Sequence, residues 1–328
     1  MRMSGALVLG AFVVGGVVGL TGMGGGALMT PMLVLLFGVS PLTAVSSDLV
    51  ASAVMKPVGS LVHLRKRTVN LQLVKWLCVG SVPSAFLGVV FLRALGEDEK
   101  IQTGIRTALG VAILLTATML IVRVYLRLLN RARPSPSSPD QRLHVRPLPT
   151  VALGVLGGLI VGMTSVGSGS LIIIGLMFLY PTLLPKQLVG TDLLQAVPLV
   201  TAAAVSHVFF GDLDLAVSLP LILGGVPGAY LGARLATVLP GGVVRRALAV
   251  VLIASGLKLL GVPNLYTAVV LVVVSLGGSL LWMHLRRRHG FPALASVESR
   301  EVRKRSDKKS RSGISAKGDR SREEGVEA

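Results

Sequence analysis

Two long apolar stretches interrupted by glycines constrain this chain more than any other feature. Residues 5–37 and residues 151–180 both exceed the roughly 20 residues with which a helix crosses the ~30 Å hydrocarbon core of a bilayer. Glycine is weak inside a helix and tolerates backbone conformations that other residues avoid. The glycine clusters at residues 22–26 and residues 167–169 therefore predict a break in the middle of each stretch.

The rest of the chain predicts an all-α membrane protein of many crossings. Only 15% of its 328 residues are charged and 52% are hydrophobic, whereas soluble domains carry about 25% charged residues. Six further apolar runs have membrane-spanning length, and a seventh, shorter run would cross if tilted or locally matched. The six are residues 42–62, 71–92, 103–126, 187–208, 215–236 and 266–284, and the shorter one is residues 245–260.

The sequence also repeats itself once. The segment GLTGMGGG at residues 19–26 aligns with GMTSVGSG at residues 162–169, and after a one-residue shift the same register continues downstream. Matched Pro, Asp and His residues in one register are hard to obtain by chance, so we predict two homologous helical repeats. The register pairs Pro41 with Pro185, Ser47-Asp48 with Thr191-Asp192, His63 with His207, and Pro83 with Pro227.

The repeats divide the chain into segments of different character. We assign residues 1–130 to the first transmembrane repeat and residues 150–262 to the second, joined by a polar basic linker at residues 131–149. An additional membrane helix at residues 263–285 precedes a basic tail, residues 286–328, with 13 Lys/Arg and 7 Asp/Glu. Its composition predicts disorder, and its charge favours anionic lipid over nucleic acid as a partner.

The charges of the loops predict how the repeats are oriented. The basic loop at residues 65–67 corresponds to an acidic one at residues 209–214, and the next pair reverses this, with residues 96–99 acidic and residues 243–246 basic. Basic loops favour the cytoplasm, so the repeats would be inverted and the linker and tail cytoplasmic. Inversion requires each broken stretch to be re-entrant, leaving the membrane on the side where it entered. A parallel arrangement is the alternative.

The two breaks are the predicted substrate site. Paired interrupted helices in two halves of a transporter mark its binding site, and half-helix N-termini direct N–H groups at anions. Close helix packing through small residues is the alternative. The predicted substrate-binding residues come from the breaks and from the position before each Asp: Thr21, Gly22, Gly24, Gly25, Gly26, Ser47, Thr164, Ser165, Gly167, Ser168, Gly169 and Thr191.

Three ionisable residues within apolar helices are predicted to act in coupling or gating. Asp48, Asp192 and Lys56 are costly at membrane depth and therefore indicate function, including relay of a proton or contact with a sodium ion. Alternatively, each Asp lies at interface level near its helix N-terminus. Lys56 either attracts an anion or extends toward the basic loop at Arg65.

Enzyme chemistry is weakly supported. Ser168 and His207 would form an intramembrane serine–histidine dyad only in direct contact, and the first repeat keeps His63 but has Gly25 opposite Ser168. For both histidines we prefer a polar helix-end position over proton coupling. The chain has one cysteine and no Walker A or HExxH motif. We therefore predict neither an enzyme nor a cofactor.

The sequence resembles the TauE/SafE sulfite-exporter family of membrane permeases over residues 5–260. The resemblance rests on GMGGG at residues 22–26, on Pro31, Pro41 and the step at residues 47–49, and on their counterparts in the second repeat. It implies a secondary permease for sulfur-containing anions such as sulfite, thiosulfate or sulfonates, in a bacterial or archaeal cytoplasmic membrane. The serines of the second break and the additional helix depart from the family pattern. The exact anion, the coupling ion and homo-oligomer formation stay open.

Two functional classes follow from these patterns. One is a permease that works by alternating access around a site between the breaks. The other is a membrane scaffold that does not transport and whose tail recruits cytoplasmic partners. Removal of residues 286–328 separates them, because a permease keeps its flux and a scaffold loses its function.

The inverted arrangement predicts which loops face the outside of the cell. With Cys78 replaced by Ser, a single cysteine at Asp212 should react with an impermeant maleimide added to intact cells, because the loop at residues 209–214 is external. A cysteine at Lys66 should react only after permeabilisation. Protection of the cysteine at position 212 would contradict inversion.

Overall fold

The structure, a computed structural model, describes residues 2–21, 25–65, 68–94, 99–131, 145–210, 212–235 and 241–288. Within these ranges the protein is built from α-helices and their connections, without a β-strand. The helices are α1 (Arg2–Thr21), α2 (Gly26–Leu36), α3 (Pro41–Arg65), α4 (Leu71–Ala94), α5 (Glu99–Arg131), α6 (Pro147–Thr164), α7 (Leu171–Leu179), α8 (Pro185–Phe210), α9 (Leu215–Leu235), α10 (Gly241–Leu259) and α11 (Asn264–Arg288).

These helices confirm the predicted all-α polytopic class. Each predicted crossing coincides with a helix, and each broken stretch is a pair of helices, α1 with α2 and α6 with α7. Among the described residues, five helices are long and apolar enough to cross a membrane: Leu71–Leu92, Gln102–Val122, Pro147–Thr164, Lys186–Phe210 and Leu215–Leu235. Helix α3 is 25 residues long but is not among them, because Asp48 and Lys56 lower its mean hydropathy.

The chain divides into two compact units. The first holds residues 1–126 and 134–271, and the second holds residues 127–133 and 272–328. In the described part of the chain, the second unit consists of the end of α5 and most of α11. All contacts described below lie within the first unit.

Each broken stretch folds back on itself. Helix α2 has 11 residues and α7 has nine, so at 1.5 Å per residue each covers only about half of the hydrocarbon core. Helix α7 runs antiparallel to α6, since Gly157 packs against Ile172 and Gly175 packs against Leu153. Helix α2 likewise returns along α1, where Gly10 contacts Met32 and Phe37.

The two ends of the α6–α7 hairpin are joined by hydrogen bonds. The Tyr180 hydroxyl, just after α7, accepts from the backbone N–H of Arg146 at 2.9 Å and lies 2.6 Å from the Thr150 hydroxyl at the start of α6. Tyr180 and Thr150 are both buried. The hairpin therefore begins and ends at the same level, as the sequence predicted for a re-entrant segment.

Two close helix pairs hold the first unit together. Helix α1 packs along α9 and α6 packs along α4, while α3 and α8 pack against each other. Glycine every fourth residue lets backbones touch in both close pairs, which is how membrane helices associate without large apolar side chains. In α9, Gly224, Gly228 and Gly232 face Val8, Phe12 and Gly16 of α1; in α6, Gly154, Gly158 and Gly162 face Leu77, Ser81 and Ala85 of α4.

Replacement of a glycine at the α1–α9 interface should lower the stability of the protein. A Cβ at position 228 would overlap the carbonyl oxygen of Phe12, so Gly228→Ala should force α1 and α9 apart at a cost of about 1–3 kcal/mol. Gly104→Ala on α5 is the matched control, because no atom lies within 4 Å of that added Cβ. Thermal unfolding of the purified variants in detergent measures the difference. Equal midpoints for Gly228→Ala and wild type would contradict the packing described here.

Candidate functional site

The two glycine breaks touch. Gly26, the first residue of α2, lies so close to Ser165 at the end of α6 that a Cβ at position 26 would overlap the Ser165 carbonyl oxygen. Only glycine permits this approach of two backbones. The contact places the first residue of α2 directly beside the second broken stretch.

Asp48 is the centre of a buried polar cluster. It is 1% exposed, and its Oδ2 accepts hydrogen bonds from the hydroxyls of Ser165 at 2.5 Å and Thr30 at 3.2 Å. The other oxygen, Oδ1, lies beside the backbone of Gly25 and accepts no hydrogen bond from the described residues. One carboxylate on α3 therefore joins α2 and the second break.

Lys56 extends toward the second break. Its ammonium donates to the Ser168 hydroxyl at 2.7 Å, and the side chain is only partly exposed. It interacts electrostatically with Asp192 on α8 and more weakly with Asp48. The Lys56 side chain therefore points to the second break and does not extend toward Arg65.

The second break has an unusual backbone. Ser165 is left-handed with φ 57°, and Gly167 has φ 109°, values that glycine adopts easily and other residues rarely. The Thr164 hydroxyl donates to the carbonyl of Ile160 and accepts from the N–H of Val166 at 3.2 Å. Thr164 thus stabilises the end of α6, while the left-handed turn directs the Ser165 hydroxyl to Asp48.

The residues before the two aspartates have different surroundings. Ser47 is fully buried, and its hydroxyl has no hydrogen-bond partner among the described residues. The Thr191 hydroxyl accepts from the backbone N–H of Asn70, which precedes α4, at 3.0 Å. The Ser47 hydroxyl is thus left without a partner in the described part of the chain, whereas Thr191 ties α8 to the α3–α4 connection.

The remaining predicted site residues are less informative. The Thr21 hydroxyl donates to the carbonyl of Val17 in its own helix at 2.9 Å, and Gly169 is buried in the second break. Gly22 and Gly24 lie outside the described residues.

His207 is a buried structural link and does not contact Ser168. It is 0% exposed, with Nε2 3.0 Å from the carbonyl oxygen of Gly162 and Nδ1 2.8 Å from the hydroxyl of Ser46. A carbonyl only accepts, so Nε2 carries a proton. The Ser46 hydroxyl beside Nδ1 also donates to the Leu42 carbonyl at 2.9 Å. Because Ser168 bonds to Lys56, the serine–histidine dyad is not formed. His207 lies in the last turn of α8, the predicted helix-end position, but it is buried there.

His63 occupies a related but more exposed position. Its Nδ1 lies 3.0 Å from the hydroxyl of Thr68 in the α3–α4 connection. Thr68 also packs directly on Gly190, whose Cα has no side chain to obstruct it. Each histidine therefore fixes a helix end through a hydroxyl, Ser46 for His207 and Thr68 for His63.

Sequence reasoning missed several polar residues of the cluster. Thr30 bonds to Asp48, Ser52 lies near Gly25, and Ser46 bonds to His207. Spacing gave a partial signal, because Ser52 lies four residues after Asp48 and so shares its helix face. Thr30 lies shortly after the first glycine break and directly precedes Pro31. The corresponding position of the second repeat is not polar, so the repeat gave no signal for it. Among the described residues, no group of three His, Cys, Asp or Glu side chains is placed to hold a metal ion.

Comparison with known proteins gives one family and several transporters. The sequence profile of the family described as "Sulfite exporter TauE/SafE" matches residues 7–259. The "Probable membrane transporter protein YjnA" of Bacillus subtilis (strain 168) is 38% identical over 264 residues, which cover 79% of this chain and 100% of that protein. No solved structure matched the chain.

Two more distant relatives carry the same kind of name. The "Probable membrane transporter protein YdhB" of Bacillus subtilis (strain 168) is 26% identical over 77% of this chain and 99% of its own length. A "Probable membrane transporter protein" of Xylella fastidiosa (strain 9a5c) is 26% identical over 69% of this chain and 82% of its own. The similarity therefore extends over almost the whole length of its relatives.

Substitution of a glycine in either break should impair function in protein that still folds and inserts correctly. Gly167→Val places a β-branched residue at φ 109°, where it is strongly disfavoured, and should abolish anion flux by displacing Ser165 and Ser168. From the sequence alone, the same loss is expected for Gly24→Val. Flux into proteoliposomes measures it, with Gly104→Val as a control in open space. Wild-type flux in correctly inserted Gly167→Val protein would refute the role of the break.

Proposed function

We propose that this chain, which belongs to the TauE/SafE sulfite exporter family, is a secondary permease for a small anion. It is a multi-pass membrane transporter and not an enzyme. The proposed substrates are sulfur-containing anions such as sulfite, thiosulfate or a small sulfonate. The observation that carries the proposal is the meeting of the two breaks beside the Lys56 ammonium.

The chemistry of the site suits an anion. Lys56 supplies a fixed positive charge, and the Ser168 hydroxyl beside it can donate to a ligand that displaces the ammonium. The short helices α2 and α7 begin at the two breaks, so their first N–H groups and positive dipole ends are directed there. Oxyanions with several acceptor oxygens match such a set of donors.

The hairpins support the inverted arrangement of the two repeats. A hairpin that returns to its starting level contributes no net crossing, so α3, α4 and α5 together carry the chain to the opposite side. The second repeat then begins on that side and runs the other way. The helix pairs add support. Helix α1 of the first repeat packs on α9 of the second, and the helix that corresponds to α1, α6, packs on the helix that corresponds to α9, α4.

Hydrogen bonds between the two ends of α3 and α8 support a mechanism of alternating access. At one end, the Thr43 hydroxyl donates to Asp212 at 2.6 Å; at the other, the Asn70 N–H donates to Thr191 at 3.0 Å. In the inverted arrangement the first tie is external and the second is cytoplasmic. Opening one tie at a time would expose the breaks to one side of the membrane and then to the other.

The proposed location is the cytoplasmic membrane, with the basic linker and tail inside. The lipid bilayer is then the partner of the exposed apolar surface, and nucleic acid is not a partner.

Flux measurements test the permease directly. Proteoliposomes containing the purified protein should accumulate ³⁵S-labelled sulfite, thiosulfate or methanesulfonate above the level of empty liposomes. Lys56→Gln should lower the flux at least about tenfold, which corresponds to roughly 1.4 kcal/mol of lost anion binding. Lys75→Gln, at an exposed lysine of α4, is the matched control.

Two results would overturn the proposal. One is equal flux with Lys56→Gln and Lys75→Gln, which would remove Lys56 from the site. The other is absence of anion flux in wild-type proteoliposomes together with loss of cellular function on deletion of residues 286–328, which would favour the scaffold hypothesis.

A further inference from the structure

A serine at the start of α7 is buried without a hydrogen-bond partner. Ser170 is 2% exposed, and its hydroxyl forms no hydrogen bond with the described residues. A buried hydroxyl that stays unpaired lowers stability, and native proteins rarely retain one unless a ligand or an ordered water completes it. A ligand that accepts a hydrogen bond at this position would satisfy it.

Ser170 directly precedes α7 but does not cap it. An N-cap serine normally has an extended backbone, and its oxygen accepts from the N–H groups of the first helical turn. Ser170 instead has φ −117° and ψ −50°, and its side chain forms no cap hydrogen bond. The hydroxyl therefore stays available at a helix end that favours anions.

Two further donors lie near the Ser170 hydroxyl. The N–H groups of Ser170 and Leu171 donate to the Gly167 carbonyl at 3.3 and 3.1 Å, which closes a turn that also contains Ser168. The two serines are two residues apart, so their Cα atoms lie within about 7 Å of each other. The Lys56 ammonium donates to the Ser168 hydroxyl at 2.7 Å. An ammonium cannot accept, so the Ser168 proton is left for another acceptor.

Ser165, the third hydroxyl residue of this break, has a different role. Its hydroxyl donates to the Asp48 carboxylate at 2.5 Å, so it is not available to an anion while that bond is intact. The side-chain donors that remain at the second break are the hydroxyls of Ser168 and Ser170 and the ammonium of Lys56.

The first repeat does not repeat these donors. It has residues without a polar side chain at the three corresponding positions, namely Gly25, Ala27 and Val200, opposite Ser168, Ser170 and Lys56 respectively. All three are buried. A packing requirement of the fold would apply to both copies, whereas a set of donors present in one copy is expected of a single ligand site.

We infer that one anionic headgroup binds at the second break between Ser168, Ser170 and Lys56, and that Ser170 is a specificity-determining residue. The inference rests on the proposed function and specifies which headgroup its site selects. A headgroup with three terminal oxygens, such as –SO₃⁻, can give each donor an oxygen of its own. A carboxylate has only two oxygens, so it pairs the three donors less well, and a site built on hydrogen bonds discriminates against such a ligand.

The test measures uptake of ³⁵S-thiosulfate into proteoliposomes, with unlabelled methanesulfonate or acetate as competitor. The two competitors share a methyl group and a single negative charge at neutral pH, and they differ in the headgroup. For the wild type, the inhibition constant of methanesulfonate should be at least about tenfold below that of acetate, which is the effect of one hydrogen bond to a charged group.

Ser170→Ala should remove this preference. It should raise the inhibition constant of methanesulfonate about tenfold and that of acetate less than about twofold, with a larger effect on the KM for thiosulfate than on the maximal rate. Ser170→Thr, which keeps the hydroxyl, should retain the preference. Ser168→Ala should weaken methanesulfonate selectively as well, which provides a second measurement if Ser170→Ala inserts poorly. Ser218→Ala is the matched control, because Ser218 is also buried near a helix start but donates to the Asp214 carbonyl.

The outcomes separate the inference from the proposed function. Absence of both thiosulfate and sulfite uptake in the wild type would refute the proposed function along with the inference. Wild-type uptake that both competitors inhibit equally would overturn the inference alone. So would unchanged inhibition constants in Ser170→Ala and Ser168→Ala, or an equal loss of affinity for both competitors in Ser170→Ala, which would give Ser170 a structural role only.

Discussion

Backbone contact at glycine is the constraint on which the rest of this structure depends. Within a membrane, unwound backbone is tolerated only where other protein groups or a polar cavity satisfy it. Here the start of α2 rests on the end of α6, and a single added Cβ at Gly26 would separate them. The same device operates along α1–α9 and α4–α6, where glycine at every fourth position of α9 and α6 faces the backbone of the partner helix. Removal of these contacts would disperse the polar groups that the breaks bring together.

Close packing also determines where charge can be buried. Asp48 is stable inside the helix bundle because two hydroxyls, one from each broken stretch, donate to the same carboxylate oxygen. Ser165 reaches it only from a left-handed backbone conformation, which serine adopts at a cost that the short hydrogen bond offsets. Lys56 reaches Ser168 in the same region. The breaks therefore serve two purposes, since they shorten the helices and place opposite charges near the first residues of α2 and α7.

The sequence predicted the helices and the breaks well, for simple physical reasons. Apolar runs must match the thickness of a bilayer, and clustered glycines interrupt helices, so both signals are local. The partners of individual side chains were not predictable in the same way. Ser165 and Asp48 are 117 residues apart, and only the hairpin brings them together. Lys56 has the same sequence context whether it points to a loop or to a break. His207 is in the last turn of α8, as predicted, but its complete burial was not predictable. The glycines at every fourth residue of α6 and α9 were visible in the sequence, and they lie at the close helix interfaces.

The central claim is that both breaks and Lys56 form one anion site. The most direct measurement is the position of a bound anion, obtained from the anomalous scattering of selenite soaked into crystals of the purified protein as a heavy analogue of sulfite. We expect a selenium peak between Gly26 and Ser168, within hydrogen-bond distance of the Lys56 ammonium. A peak remote from both breaks, with Lys56 still bonded to Ser168, would contradict it.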